Sequence, residues 1–293
     1  GDQVCESDDS YRIVGAVSVT PFHHLGVQHM IVANFWDGLT SHVGSAIYRY
    51  DVNFTGAQNA GSALRSLQFV QIIPTKGARK WAHVLVCNEP VLVVASFSGP
   101  SSAFLLENSA DMAVNTLRGS PIGQAGVSSM VTFTAGSGTY VVFAALTDGA
   151  AGHADSHILR LGLAHNHSHS DFGDGLLEPH DPKFRGIALH PVTARIVQML
   201  PTRRVHDVEL FEIEGYQYLA FASLSESGPS VIYRRLKSSS AVSFSMHPAL
   251  EVSNSVSLHF VPGVVPCLFV GKQAGDSTML HWNGSLFLGV NNA

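Results

Sequence analysis

The feature that most limits the possible folds of this chain is a pair of short apolar segments that recurs in one fixed order. The first segment ends in small residues and Gly, as at residues 30–38, and the second is a short run such as residues 45–50. A fixed order of elements repeated every few tens of residues is typical of propellers and solenoids. Because the runs are rich in β-branched residues and none keeps a period of 3.6, the sequence predicts an all-β chain. The pair returns at residues 92–106, 142–161, 219–234 and 268–282.

A third element completes some of these units and predicts four strands in each. Residues 71–75 read QIIPT and residues 198–202 read QMLPT, and each run leads into the first strand of the next unit. The sequence therefore predicts a single domain over residues 1–293, which is whole or a piece of a longer protein. Its five units span approximately residues 11–79, 80–127, 128–204, 205–251 and 252–293.

Three long insertions are placed between the third and fourth strands of their units. They cover residues 51–67, 108–127 and 163–190. In a repeat protein, insertions at one topological point project from one face, and that face is often the binding face. The insertions therefore predict where a ligand or partner would bind.

Two motifs connect the chain to a known family. IVANFWDG at residues 31–38 runs on to SAIYRY at residues 45–50, and QIIPTKGARKW occupies residues 71–81. Together they resemble the epilepsy-associated repeat, called EAR or EPTP, of the secreted leucine-rich glioma-inactivated proteins. The fourth unit resembles it moderately, at residues 207–215 and 230–234, and the other units only in outline.

The resemblance implies a β-propeller of four-stranded antiparallel blades, of which the family normally has seven. Five units are visible in this sequence. Two blades are absent from the piece or hidden by diverged insertions, or the ring has five blades. The blade pattern is thus predicted more firmly than the number of blades.

The resemblance also implies a function. Propellers of this family dock other ectodomains, so the chain is predicted to be an extracellular protein–protein interaction module with a protein ectodomain as partner. No G-x-S-x-G elbow, H-E-x-x-H helix or phosphate-binding Gly loop occurs, so the chain is not predicted to be an enzyme. Two alternatives stay open: a metal-dependent propeller hydrolase of the lactonase type, and a glycan-binding propeller.

Charge and hydropathy exclude two classes of partner. The formal net charge is -5 and no basic run is longer than two residues, which argues against nucleic acid. The longest apolar stretches, residues 91–95 and 261–270, are too short to span a bilayer. We therefore expect no nucleic-acid partner and no membrane span in this chain.

Histidines in the third insertion and one aspartate are the candidate site residues. His165, His167, His169 and His180 lie in a stretch rich in Ser and Asp, and a solvated loop that contacts a partner is favoured over a zinc site. Asp207 falls where the family's innermost strand carries Asp, which makes it a candidate ligand for a channel Ca²⁺. The equivalent positions, such as Lys80 and Asn254, add no second carboxylate, so a solvated channel aspartate is an equal alternative. No other cofactor is predicted.

The sequons and cysteines are relevant to whether the protein is secreted. Asn53, Asn166 and Asn283 each begin an N-x-S/T sequon, which is consistent with secretion and glycosylation. Cys5, Cys87 and Cys267 form no metal-ligand spacing, and isolated thiols are favoured over a long-range disulfide.

Overall fold

The computed structural model describes residues 13, 15–50, 67–106, 119–147, 155–164, 192–224, 229–237, 241–247 and 252–289. These residues form twenty β-strands in five four-stranded antiparallel sheets, called blades 1 to 5 in chain order. Blade 1 contains β1 (Ala16–His24), β2 (Val27–Asn34), β3 (Ser45–Tyr50) and β4 (Leu67–Ile73). Blade 2 contains β5 (Ala78–Val86), β6 (Glu89–Ser96), β7 (Ser102–Leu105) and β8 (Gly119–Pro121). Blade 3 contains β9 (Val127–Ala135), β10 (Gly138–Ala145), β11 (Ser156–Leu163) and β12 (Val192–Leu200). Blade 4 contains β13 (Val205–Ile213), β14 (Tyr216–Ser223), β15 (Val231–Arg235) and β16 (Phe244–His247). Blade 5 contains β17 (Ser255–Val261), β18 (Cys267–Lys272), β19 (Thr278–Trp282) and β20 (Phe287–Gly289).

The strands of each blade lie side by side in chain order, which is the up-and-down arrangement of a propeller blade. The predicted β-propeller of four-stranded antiparallel blades is confirmed. The three long insertions fall between β3 and β4, between β7 and β8, and between β11 and β12, outside the described residues for most of their length. In the part of the chain that the structure describes, no helix is long and apolar enough to cross a membrane.

The first strand of every blade carries a β-bulge at the same place. The bulge re-aims the side chain that follows it, and this gives a common register for comparing blades. The residue after the bulge pairs with a small residue of the second strand in each blade. Ser257, rather than Asn254, is therefore the blade 5 counterpart of Asp207. The residues at this position are Ser18, Lys80, Ser129, Asp207 and Ser257.

Buried hydroxyl groups explain why Ser and Thr recur in the repeat. In blade 1, Ser45 Oγ and Thr75 Oγ1 are 3.1 Å apart, and Trp81 Nε1 of blade 2 donates to Ser45 Oγ at 3.0 Å. In blade 3, Ser156 Oγ and Thr202 Oγ1 are 2.8 Å apart. The Ser of the third strand and the Thr after the fourth strand thus join two strands of one blade, and in blade 1 they also anchor the next blade.

The hydrophobic core lies between blades. Four clusters of buried apolar residues fill the four interfaces between consecutive blades. Trp81, the last residue of the motif at residues 71–81, is 2% exposed and belongs with Phe104 and Ile31 to the cluster between blades 1 and 2. Because both faces of the middle blades are covered, their second strands are apolar along nearly their whole length.

Candidate functional site

The first strands of consecutive blades pack against one another, so they form the inner edge of the fold. Asp207 lies on this edge, half-buried on β13, and bonds to the blades on both sides. Ser129 Oγ of blade 3 donates to Asp207 Oδ1 at 2.8 Å, and the backbone N–H of Leu258 in blade 5 donates to Oδ2 at 3.1 Å. Lys80 Nζ of blade 2 donates to Ser129 Oγ at 3.4 Å. One chain of polar contacts therefore links blades 2 to 5.

A second carboxylate, Glu209, lies two residues further along the same strand face. The backbone N–H of Phe260 donates to Glu209 Oε1 at 3.4 Å. Burial raises the pKa of Glu209 and the charge of Asp207 adds to the rise, whereas the hydrogen bond from Phe260 and the charge of Lys80 oppose it. Two residues along a strand correspond to about 7 Å. Both carboxylates lie on one strand, and no linear catalytic motif in the sequence marks such a pair.

The calcium hypothesis for Asp207 can be compared with its surroundings. Ca²⁺ takes about six to eight oxygen ligands. Both oxygens of Asp207 accept hydrogen bonds from protein donors. Among the described residues there is no group of three or more His, Cys, Asp or Glu side chains placed to hold a metal ion. These residues do not fit a full calcium shell, and a Ca²⁺ ion at Asp207 stays a prediction.

A groove opens between blades 4 and 5, at the ends of the β13–β14 and β17–β18 hairpins. Its volume is about 450 Å³, which falls in the range of about 300–1,000 Å³ found for small-molecule sites. The lining combines acidic, aromatic and small apolar side chains. It consists of Glu212, Ile213 and Glu214 from blade 4, and Phe260, residues 262–266, Trp282 and Gly284 from blade 5.

Stacked rings hold the aromatic part of this lining in place. The rings of Phe211 and Phe260 stack with centroids 4.6 Å apart, and Phe211 also stacks on Tyr218 at 5.5 Å. Trp282 packs on Tyr218 at 5.7 Å and on Phe287 at 5.2 Å. Phe260 is half-buried, whereas Trp282 is only 8% exposed and its buried Nε1 has no hydrogen-bond partner. A buried donor without an acceptor is unusual enough to require an explanation.

Turn chemistry places two carboxylates at the rim of the groove. Glu214 and Gly215, the central residues of the β13–β14 turn, have φ values of 52° and 72°. Positive φ at both central residues is the signature of a type I′ hairpin, in which Gly is favoured. Glu212 and Glu214 are exposed. An acidic residue beside Gly between two apolar strands is the signal in the sequence that could have marked this rim.

The apolar loop at residues 262–266 forms the other wall of the groove. It reads Pro-Gly-Val-Val-Pro, and Val264 is fully exposed while Val265 is half-exposed. In the sequence this loop lies inside the apolar stretch of residues 261–270, which continues into β18, so no separate signal marks it. The Pro residues at its ends separate it from the two strands of the hairpin.

Some of the remaining candidates lie outside the described residues, and one lies beside the groove. His165, His167, His169 and His180, together with Asn53, Asn166 and Cys5, lie outside the described residues. Asn283 is exposed in the β19–β20 turn, where its Oδ1 accepts hydrogen bonds from the backbone N–H groups of Ser285 and Leu286 at 3.0 and 2.9 Å. Its glycosylation stays a prediction. Cys87 and Cys267 are free thiols.

One known family matches part of the repeated sequence. The sequence model of the EPTP domain matches residues 195–236. This confirms the resemblance to the EAR family over that segment, which runs from β12 to β15 and contains Asp207. No curated protein matches the chain.

Similar solved structures include several glycoside hydrolases. The GH43_1 enzyme from Xanthomonas citri complexed with xylose has 10% sequence identity and a TM-score of 0.44, with 95% of this chain and 92% of that chain covered. The catalytic domain of the Coprinopsis cinerea GH62 alpha-L-arabinofuranosidase has 11% identity and a TM-score of 0.43, with 92% and 89% covered. CoXyl43, a GH43 beta-xylosidase/alpha-arabinofuranosidase from a compost microbial metagenome, has 10% identity and a TM-score of 0.42, with 95% of both chains covered.

These neighbours correct one prediction from the sequence. The sequence predicts a docking module for protein ectodomains that is not an enzyme. The similar structures are glycoside hydrolases, which contradicts this prediction, and it is not retained. The prediction rested on the resemblance and on absent linear motifs, and a carboxylate pair held by a sheet has no linear motif. At identities of 10–11% and TM-scores of 0.42–0.44, the likeness itself assigns neither a reaction nor a substrate to this chain.

Proposed function

We propose that this chain, which carries an EPTP repeat at residues 195–236, binds a glycan in the groove between blades 4 and 5. The observation that carries the proposal is the combination of a half-buried Phe260 ring with the exposed carboxylates of Glu212 and Glu214 in one cavity. A sugar ring has an apolar C–H face and an edge of hydroxyl groups. An aromatic ring packs on the first, and carboxylate oxygens accept hydrogen bonds from the second.

The indole of Trp282 supports the same proposal. A buried N–H group without an acceptor costs about 1–3 kcal/mol. A sugar oxygen at this part of the lining, reached after a small shift of the surrounding rings, would accept that hydrogen bond.

An extracellular location and a protein ectodomain that carries the glycan belong to this proposal. They are supported by the EPTP match and by the three sequons, which are typical of secreted chains. The ligand on such a partner would be its sugar rather than its polypeptide surface.

A glycan array followed by titration calorimetry tests the proposal, using protein produced without its own glycans. We expect the double variant Glu212→Gln/Glu214→Gln to weaken binding at least about tenfold, because it removes two charged acceptors, each worth about 1.5–3 kcal/mol when desolvated. The matched control is Glu89→Gln, an exposed glutamate that begins β6 beside the corresponding hairpin of blade 2. No bound glycan with the wild type, or equal affinities for the double variant and the wild type, would refute the proposal.

A second candidate, glycoside hydrolysis, rests on Asp207 and Glu209. Glycosidases use two carboxyl groups about 5–9.5 Å apart, one of which has a raised pKa and protonates the leaving oxygen. The spacing of about 7 Å along one strand falls in that range, and burial raises the pKa of Glu209. Glu209 would be the acid and Asp207 the base or nucleophile.

A panel of aryl glycosides, with and without added Ca²⁺, separates this candidate from simple binding. Turnover by the wild type that Glu209→Gln abolishes, with glycan binding in the groove unchanged, would establish hydrolysis. If no glycoside is turned over under either condition, this candidate is wrong, and the binding proposal is judged by its own experiment.

A further inference from the structure

Arg79 lies at the β-bulge near the start of β5, whereas the groove lies at the opposite ends of the first strands of its blades. Its guanidinium lies over the ring of Phe35, with Cζ 3.9 Å from the ring centroid, and Cζ is 5.4 Å from the centroid of Phe97. The two rings meet edge to face with centroids 6.0 Å apart, and both are half-buried. Arg79 is therefore packed against aromatic rings of blades 1 and 2.

This guanidinium is partly desolvated and lacks an anion. Its Nε is buried and has no hydrogen-bond partner among the described residues. Burial alone lowers the pKa of Arg79, and no neighbouring carboxylate acts against it. Charges removed from water are normally paired, and a buried donor without an acceptor requires an explanation. Arg79 has lost part of its hydration without gaining a counter-ion, which favours the binding of an anion from solution.

The bulge residues of blades 3 and 4 show the structural role that this position can have. In blade 3, Ser128 Oγ donates to the backbone carbonyl of Val205 at 2.7 Å. In blade 4, His206 Nδ1 bonds to the backbone carbonyl of Val256 at 2.7 Å. Each of these side chains thus bonds to the bulge of the next blade. Arg79 instead packs on an aromatic ring of the blade before it, so the joining of blades by hydrogen bonds does not explain its placement.

Acidic groups that could compete for this cation are scarce in blades 1 and 2. In the described residues of these two blades, the acidic side chains are Asp37 and Glu89. Asp37 Oδ1 accepts hydrogen bonds from the backbone N–H groups of Leu39 and Thr40 in its own turn, at 2.8 and 2.7 Å. Glu89 begins β6, at the hairpin end of blade 2 and therefore at the other end of the strands. Neither carboxylate is placed to take the position of an external anion.

We propose that Arg79 binds the carboxylate of a small organic acid whose apolar body packs against Phe35 and Phe97. A guanidinium donates two parallel N–H bonds in its own plane, and these match the two oxygens of a carboxylate. Because Phe35 covers its face, an edge of the guanidinium is the part that meets the ligand. A small shift of the neighbouring rings would give the buried Nε the acceptor that it lacks.

The aromatic surroundings favour a carboxylate over a phosphate. A carboxylate has a single charge, which one guanidinium neutralises, and its apolar body gains contact with the two rings. A phosphate carries up to two charges and several acceptor oxygens, and most of these would lie unpaired beside a single cation. The site is separate from the glycan groove, so the failure of one proposal leaves the other to its own test.

NMR titration tests the proposal, with benzoate as the probe and benzyl alcohol as its neutral counterpart. The Nε–Hε resonance of Arg79 is assigned from its contacts with the ring protons of Phe35. We expect benzoate to shift this resonance saturably with a millimolar Kd, since the contact is small and contains one ion pair. Benzyl alcohol should leave it unchanged. No saturable shift with benzoate, or an equal response to benzyl alcohol or to inorganic phosphate, would overturn the proposal.

Variants assign the response to the guanidinium, with binding followed by the backbone N–H resonance of Phe97. Arg79→Gln should weaken benzoate binding at least about tenfold, because it removes the charge and the paired N–H donors. Arg79→Lys keeps the charge, and with it the packing on Phe35, but should still bind several times more weakly because the planar fork is lost. Arg195→Gln, at an exposed arginine on β12, is the matched control and should bind like the wild type. Unchanged affinity in both Arg79 variants would also overturn the proposal.

Discussion

Replacing Asp207 tests whether the inner edge is held together by this one carboxylate. Asp207→Ala removes the acceptor for Ser129 Oγ and for the Leu258 N–H group. Hydrogen bonds to a charged group are worth about 1.5–3 kcal/mol each, and a half-buried site reduces this to about 1–2 kcal/mol by solvent screening. We therefore expect Asp207→Ala to lower the free energy of unfolding by about 2–4 kcal/mol.

Asp207→Asn separates hydrogen bonding from charge. Its amide oxygen can accept from the Leu258 N–H group and its NH₂ group can donate to Ser129 Oγ, so both contacts persist. Losing the charge also removes the repulsion between Asp207 and Glu209, whose pKa is raised by burial and further by Asp207. We expect Asp207→Asn to cost about 1 kcal/mol or less.

Urea unfolding followed by the fluorescence of the three Trp residues measures these differences. The control is Asp276→Asn, an exposed aspartate before β19. In a double-mutant cycle, Asp207→Ala and Ser129→Ala should show a coupling of about 1 kcal/mol. A loss below about 0.5 kcal/mol for Asp207→Ala, or an Asn variant as unstable as the Ala variant, would refute this account. If the Ca²⁺ prediction for Asp207 holds, added Ca²⁺ will also raise the Tm of the wild type but not that of either variant.

Three further predictions follow from buried groups and tight turns. Burial, and then the charges of two neighbouring histidines, lower the pKa of His83 below its ordinary 6.5, so the folded state resists its protonation and stability is lost as the pH falls below about 6.5. His83→Phe should make the Tm fall less steeply with decreasing pH in a series of thermal melts, and an unchanged slope would contradict this. Ser156→Ala should lower the free energy of unfolding in urea by about 1–3 kcal/mol, because it leaves the buried backbone N–H of Ala145 unpaired. Ser102→Ala should be nearly neutral, because Ser102 is half-buried and its hydroxyl makes one long hydrogen bond. Equal losses for the two variants would be inconsistent with a role for the buried hydroxyl. Gly126 has a φ of +76° and a Cβ there would lie 1.8 Å from a backbone oxygen, so Gly126→Ala should lower the free energy of unfolding by on the order of 3–5 kcal/mol. Gly136 has a φ of +57° and open space around it, so Gly136→Ala should cost only about 1–2 kcal/mol. Similar Tm values for the two variants would argue against the clash.

The blades could be predicted from the sequence because their signal is local and repeated. The second strands of the middle blades are covered on both sides, so they appear as continuous apolar runs that small residues follow. Trp81 could be placed between blades for the same reason, since the motif fixes its distance from the previous strand. Each of these features is visible within one unit of sequence.

The candidate sites could not be predicted in the same way because they are made by neighbouring blades. The groove brings Glu212 and Glu214 of blade 4 beside Phe260 of blade 5, which lies more than forty residues away in the chain. Ser257, three residues beyond Asn254, is identified as the counterpart of Asp207 only by the strand pairing, in which Ser257 pairs with Gly271 as Asp207 pairs with Ala222.

The segment that matches the EPTP domain does not coincide with one blade. It begins within β12, the last strand of blade 3, and ends after β15, the third strand of blade 4. The unit that recurs in the sequence therefore contains a junction between blades, with Thr202 bonded back to blade 3 and Asp207 bonded to blades 3 and 5. Thr202 and Asp207, both near the start of this unit, hold strands and blades together through these bonds, whereas Glu212 and Glu214 on the rim of the groove are exposed. Substitutions at Glu212 and Glu214 should accordingly alter binding without altering the free energy of unfolding, whereas substitutions at Asp207 should do the reverse, unless the hydrolase candidate is correct and Asp207 serves both purposes.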